Sequence, residues 1–210
     1  GSPLSTAVSN TGIIKADGGQ IVLTARASSE IFSSVVNNSG VIEARSLVNR
    51  GGVIRLEGSD PVANTGEIGW KSNLGKVHNA DGQVLNTATL DVSAAEAGAA
   101  QGTVTLSGQM VGSSGSILAR GADRARGGIV LLTSSESTVL TKDSVIDVSG
   151  IANSSAGSAV IWSDKSTAFR GTILAKGGDV GGDGGQIEVS GHRNLAFTGQ
   201  VNALAPKGVM

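Results

Sequence analysis

The sequence predicts an all-β chain, a right-handed parallel β-helix (β-solenoid) of about eight coils with a repeat of about 27 residues. Three observations predict it. A short motif returns along the chain. Apolar and polar residues alternate at period two between glycines. The composition is rich in Gly and small aliphatics and almost free of rings. Glycine takes 32 of 210 positions, and three Phe and two Trp are the only aromatics. A core without rings must be built from Val, Ile, Leu and Ala.

The motif sets the first strand of each coil. Asn10-Thr11-Gly12-Ile13-Ile14-Lys15-Ala16 returns as Asn38-Ser39-Gly40-Val41-Ile42-Glu43-Ala44, and more weakly from Asn64. Its apolar anchors are Ile14, Ile42, Ile68, Leu90, Ile117, Ile146, Ile173 and Val201, in steps of 28, 26, 22, 27, 29, 27 and 28 residues. Two residues beyond them lie Ala16, Ala44, Trp70, Val92, Ala119, Val148, Ala175 and Ala203. Stacked coils would place Ile14, Ile42 and Ile68 one above another. Asn10, Asn38 and Asn64 would form an amide ladder at a turn.

A second strand follows in most repeats. Its copies are Gln20-Ile21-Val22-Leu23, Val53-Ile54-Arg55-Leu56, Thr103-Val104-Thr105-Leu106, Ile129-Val130-Leu131-Leu132, Ser158-Ala159-Val160-Ile161-Trp162 and Gln186-Ile187-Glu188-Val189. Alternation bounded by Gly, Asn or Asp is the mark of a strand between turns. A third, fainter strand is expected near Val35, Val62, Val111, Val139, Phe169 and Phe197. A unit of this size cannot bury its apolar face alone, and stacking does it. At ~4.8 Å per coil the stack would be roughly 38 Å long. Helical spacing of apolar residues is almost absent, and a sandwich has no reason to repeat at this interval.

We read residues 1–210 as one β-helical segment with a less regular coil or insertion at about 69–101. There Ser93-Ala94-Ala95-Glu96 has the form of a capping box. Residues 94–100 read as either a short helix or a loop.

Composition also excludes functions. A formal net charge of −1, with no basic run among the aromatics, argues against nucleic acid as a partner. No run of 18 apolar residues exists, so no helix inserts in a membrane. The absence of Cys removes disulfides, thiolate metal sites and cysteine nucleophiles. Polysaccharide lyases and hydrolases on β-helices need acids stacked on one outer face. The outward column of the first strand reads Lys15, Glu43, Gly69, Asp91, Leu118, Asp147, Leu174 and Asn202. The second reads Val22, Arg55, Thr105, Leu131, Ile161 and Glu188. Neither puts two acids on adjacent coils, so no catalytic residue, metal ligand or cofactor is assigned and the chain reads as a non-enzyme. His78 and His192 are expected at surface turns. The Gly- and Asp-rich run 177–185 occurs once and reads as a flexible turn, because a Ca²⁺ site needs six or more oxygens.

Four outward or anomalous features remain. Trp162 falls on the inward position of Leu23 and is expected in the core. Trp70 stands where the other coils have Ala or Val; either the coil widens there or Trp70 swings out. An exposed Trp70 beside Lys71 could stack on a sugar ring, and this pair is the candidate ligand site. Outward Leu131 and Ile161 should be neighbours, with Leu118 and Leu174 two coils apart, under a covering loop or a partner. Lys15 over Glu43 reads as a surface ion pair.

Three stretches carry a family resemblance: residues 10–25 (NTGIIKADGGQIVLTA), 35–58 and 159–208, the last holding RGTILAKGG and GGQIEVSG. They resemble the filamentous-haemagglutinin-like exoproteins of bacterial two-partner secretion. Residues 59–157 match mostly in rhythm. The resemblance implies a right-handed β-helix within a large secreted, cell-surface adhesin, exported by an outer-membrane β-barrel transporter. It implies attachment to host glycans or glycoproteins, or to a biofilm-matrix polysaccharide. It also offers a reason for the missing Cys, since disulfides hinder threading through a pore. The family's secretion domain carries Asn-Pro-Asn motifs, and no Asn precedes Pro3, Pro61 or Pro206. The expectation is therefore a β-helical segment following that domain. A polysaccharide-degrading enzyme or the stalk of a contact-dependent toxin are the alternatives on the same coils.

Overall fold

Period-two alternation becomes eighteen strands and no helix in the computed structural model, which describes residues 4–25, 32–58 and 82–208. The first coil holds β1 (Leu4–Asn10), β2 (Ile13–Lys15) and β3 (Gln20–Thr24). The second holds β4 (Phe32–Asn38), β5 (Val41–Glu43) and β6 (Val53–Glu57). Then come β7 (Gln83–Asn86), β8 (Thr89–Asp91), the long β9 (Thr103–Ser113), β10 (Ser116–Leu118) and the long β11 (Ile129–Leu140). The remainder are β12 (Val145–Asp147), β13 (Ser158–Ser163), β14 (Ser166–Phe169), β15 (Thr172–Leu174), β16 (Gln186–Gly191), β17 (Asn194–Phe197) and β18 (Gln200–Asn202). Every ladder between them is parallel, so the chain is a β-solenoid.

The first strands form the ladder β2-β5-β8-β10-β12-β15-β18, seven rungs joined by six turns. The expected eight coils are therefore about six complete turns. Ile42 pairs directly with Leu90. The steps of 26 and 22 residues are one step of 48, long enough to imitate two coils. Ile68 and Asn64 themselves lie outside the described residues. The amide ladder exists with a different third member. Asn10 Nδ2 donates to Asn38 Oδ1 at 2.8 Å, and Asn38 Nδ2 donates to Asn86 Oδ1 at 2.9 Å.

The second strands pair as β3-β6-β9-β11-β13-β16, and the third as β1-β4-β7-β9-β11-β14-β17, with β9 and β11 each running through both faces. Inward columns follow the pleat. Leu23, Leu56, Leu106, Leu132, Ile161 and Val189 share one register position. Ile42, Leu90, Ile117, Ile146 and Ile173 are completely buried, and each such side chain contributes about 1.5–3 kcal/mol of transfer free energy. On the third face the inward residues are Val36, Val84, Val111, Thr138 and Leu140. The expected strand is there, one position out of phase at Val139.

The corner between first and second strands explains one glycine column. Gly19, Gly52, Gly102, Gly128, Gly157 and Gly185 each precede a second strand, and each accepts or extends the ladder there. A Cβ on Gly52 would lie 1.4 Å from the carbonyl oxygen of Ala44, and one on Gly157 would lie 1.8 Å from that of Gly128. Backbone meets backbone with no room for a side chain.

Residues 94–100 form no helix. Ala94 instead bridges Ser46, and the Glu96 carboxylate accepts the Val48 N–H at 3.0 Å. The acid of the apparent capping box thus caps a loop on the neighbouring coil.

Candidate functional site

Trp70 and Lys71, the ligand pair expected from sequence, lie outside the described residues, as does His78. The structure directs attention to the other tryptophan. In register, Trp162 pairs with Thr133 and Ser190, not with the leucine column. Its side chain is half-buried on the outer face, and the neighbouring Ile161 takes the core position. The inward assignment of Trp162 and the outward one of Ile161 are therefore corrected by one residue. The cause is local: Ala159, Val160, Ile161 and Trp162 are all apolar, so alternation is mute. The arbiter is Gly157, which falls in the glycine column through Ser158 N–H donating to Gly128 O at 3.0 Å.

The corner after β13 is tightly specified. Ser163, fully buried, donates its hydroxyl to Glu136 O at 3.0 Å and accepts the N–H groups of Lys165 and Ser166 at 3.3 and 3.1 Å. Glu136 projects from the register irregularity of β11 between Ser134 and Ser137. Its carboxylate pairs with the Lys165 ammonium. Below, the next turn repeats the shape: His192 N–H donates to Ser163 O, and Arg193 and Asn194 N–H both donate to Lys165 O.

On this frame the Trp162 indole N–H donates to Asp164 Oδ1 at 3.0 Å. The imidazole of His192, exposed on the next coil, lies with its centroid 6.3 Å from the indole and its plane tilted by 31°. Glu188 accepts the Ser190 hydroxyl at 2.8 Å. The result is an aromatic ledge two coils deep, bordered by carboxylates of Glu136, Asp164 and Glu188 and by Lys165 and Arg193. Such a ledge offers a ring face and hydroxyl acceptors, the requirements for holding a polar ring-shaped ligand.

The outer columns need a second correction. With the Gly69 position removed from the first ladder, Glu43 and Asp91 are register neighbours on adjacent coils. A pair of acids does exist. Both are engaged: Lys15 Nζ lies 3.2 Å from Glu43 Oε1, and Asp91 Oδ1 accepts the Ser93 N–H at 2.8 Å. Asp147 and Asn202 close the same local turn with Ser149 and Leu204, which marks Asp91 as a turn-former. The outward third-strand column Leu85, Gly112, Val139, Ala168 and Ala196 holds no acid.

Leu131 stands beside Val160, not Ile161, and Val160 is 4% exposed, so this is no open apolar patch. Leu118 and Leu174 are separated by Asp147 as expected. His192 does sit at a surface turn. The run 177–185 is an irregular turn anchored by the bridge of Gly181 to Asn153. Among the described residues no three of His, Asp and Glu gather closely enough to hold a metal ion. A hollow of about 530 Å³ lies beside β18 between Gly184, Gly185 and residues 201–204. No described helix is long and apolar enough to cross a membrane. The sequence matches no family model and no curated protein.

Proposed function

We propose that this chain is a rigid β-helical segment of a large secreted bacterial adhesin, attaching to glycans of a host surface or a biofilm matrix. The observation that carries the reading is the Trp162 corner. A solenoid repeats its side chains from coil to coil, and this position is Thr24, Glu57, Ser107, Thr133 and Ser190 in the other coils. The tryptophan breaks this run of hydroxyl and carboxylate side chains. The strand that carries Trp162 is laddered to β11 on one side and β16 on the other, so its part of the ledge is preorganised. Export through an outer-membrane β-barrel transporter and a cell-surface location belong to the same proposal and rest on the resemblance in residues 10–25, 35–58 and 159–208.

Binding to a glycan array, without release of reducing or unsaturated ends, tests it. The expected result is specific retention of sugar chains by the intact protein. Release of such ends, abolished by Glu43→Gln or Asp91→Asn, would favour the enzyme reading that the Glu43 and Asp91 pair raises. Retention of no glycan would leave a spacer or toxin stalk.

A further inference from the structure

We infer that the Trp162 corner binds a neutral pyranose chain crossing obliquely from one coil to the next, with one sugar on Trp162 and the next against His192. This rests on the glycan-binding reading above and adds the subsite, the orientation and the ligand class.

The orientation follows from the ladder. In register Trp162 is level with Ser190, and His192 lies two residues further along the next coil, so the 6.3 Å between the two ring centroids combines the ~4.8 Å coil spacing with a step along the strand. A chain on that oblique line therefore meets one aromatic group per sugar. A chain running straight along β13 meets the nearly buried Val160, and one running straight along the axis meets the nearly buried Thr133 or the small Ser190, so each leaves the aromatic ledge after a single ring. The face of the indole carries partial negative charge and attracts the C–H face of a sugar. The indole N–H is already held by Asp164, which fixes the ring plane.

The ligand class follows from charge. Glu136, Asp164 and Glu188 set three carboxylates around the ledge against Lys165 and Arg193. Lys165 is neutralised by Glu136. One oxygen of Asp164 is held by the indole and one of Glu188 by Ser190. A carboxylate has capacity for further donors, and sugar hydroxyls are such donors. A uronate or sialate would bring a like charge to the same carboxylates and is disfavoured.

The test uses the full 210-residue chain and defined probes. These are hexasaccharides of β-linked glucose, α-linked mannose and β-linked galactose, against polygalacturonate fragments and sialyllactose. We expect one or more of the neutral hexasaccharides to bind, and the disaccharide of the same series to keep most of that affinity while the monosaccharide does not. Trp162→Ala should weaken binding about tenfold or more, Trp162→Phe less, and His192→Ala less than Trp162→Ala. Glu188→Gln should weaken the neutral ligand and improve any residual uptake of polygalacturonate. Far-UV circular dichroism checks that each variant keeps its coils. Neutral binding unchanged in Trp162→Ala would overturn this inference and leave the adhesin reading standing. A wild-type preference for the anionic probes would overturn the ligand class. Binding of none of the probes, or of any array glycan, would overturn both readings.

Discussion

Replacing Asn38 by Leu should destabilise the solenoid more than replacing the whole asparagine ladder does. Asn38 is completely buried. It accepts from Asn10 at 2.8 Å and donates to Asn86 at 2.9 Å. Leucine is about the same size, so little cavity forms. The single change strands the Asn10 amide N–H and the Asn86 carbonyl without partners in the interior. Each buried orphan costs about 1–3 kcal/mol, so the two together should cost about 2–6 kcal/mol. For a chain of this size that lowers the melting temperature by roughly 4–24 °C. The triple change Asn10→Leu, Asn38→Leu and Asn86→Leu leaves no orphan among the three. It gives up the Asn10 contact to Gly12 N–H, the Asn86 contact to Ala88 O and a long 3.5 Å contact from Asn86 to the buried Ser113 hydroxyl; Gly12 is exposed and Ala88 partly so, and water can substitute at those two. The same column carries Leu140 higher in the stack, so leucine fits the corner. The triple variant should therefore be more stable than Asn38→Leu alone. Urea unfolding followed by far-UV circular dichroism measures both. A triple variant as unstable as the sum of three single ones would refute the reasoning, because it would show that the amides contribute independently.

Two further contrasts follow. Gly157→Ala should cost more than about 3 kcal/mol, since its Cβ would fall 1.8 Å from the Gly128 carbonyl oxygen, whereas Gly12→Ala, with nothing within 4 Å, should change stability by less than about 0.5 kcal/mol; equal midpoints in urea would contradict this. Glu57→Ala strands the Arg55 guanidinium beside a carboxylate site only 4% exposed and should cost about 1–2 kcal/mol, while Lys15→Ala breaks a pair whose lysine is 61% exposed and should cost less than about 0.5 kcal/mol; a larger loss in Lys15→Ala, read by thermal melts, would reverse the ranking.

The repeat was legible because stacking demands like residues at like positions. Ile14 and Ile42, the second-strand leucines and the Asn10 and Asn38 ladder all follow from that demand. Three failures share one physical cause: the stack reads neighbours in space, and sequence spacing only approximates them. The 48-residue step from Ile42 to Leu90 divides into two plausible coils, which hid both Asn86 and the meeting of Glu43 with Asp91. At Trp162 four consecutive apolar residues removed the alternation, and Gly157, one residue before the assumed start, held the register. The candidate site was the least legible part. Its carboxylates come from three coils, and Glu136 reaches the corner only through a register irregularity that no local pattern announces.

The Asn10 column also shows how the core changes along the axis. From Asn10, Asn38 and Asn86 it passes through Ser113 to Leu140, Phe169 and Phe197. Each residue needs to suit only the one above and the one below, so the column converts from amide ladder to aromatic stack without a break. Stability in such a stack is a sum over nearest neighbours. Phe169 and Phe197 test this, because their rings are in contact with centroids 5.0 Å apart, yet Phe169 is fully buried and Phe197 is 45% exposed. Phe169→Ala removes a ring packed on both sides and should cost about 3–5 kcal/mol. Phe197→Ala removes a ring covered on one side and should cost about half as much or less, with the loss independent of protein concentration. Equal losses in dilute solution would mean that something covers Phe197. A loss from Phe197→Ala that grows with concentration would identify the cover as a second copy of the chain.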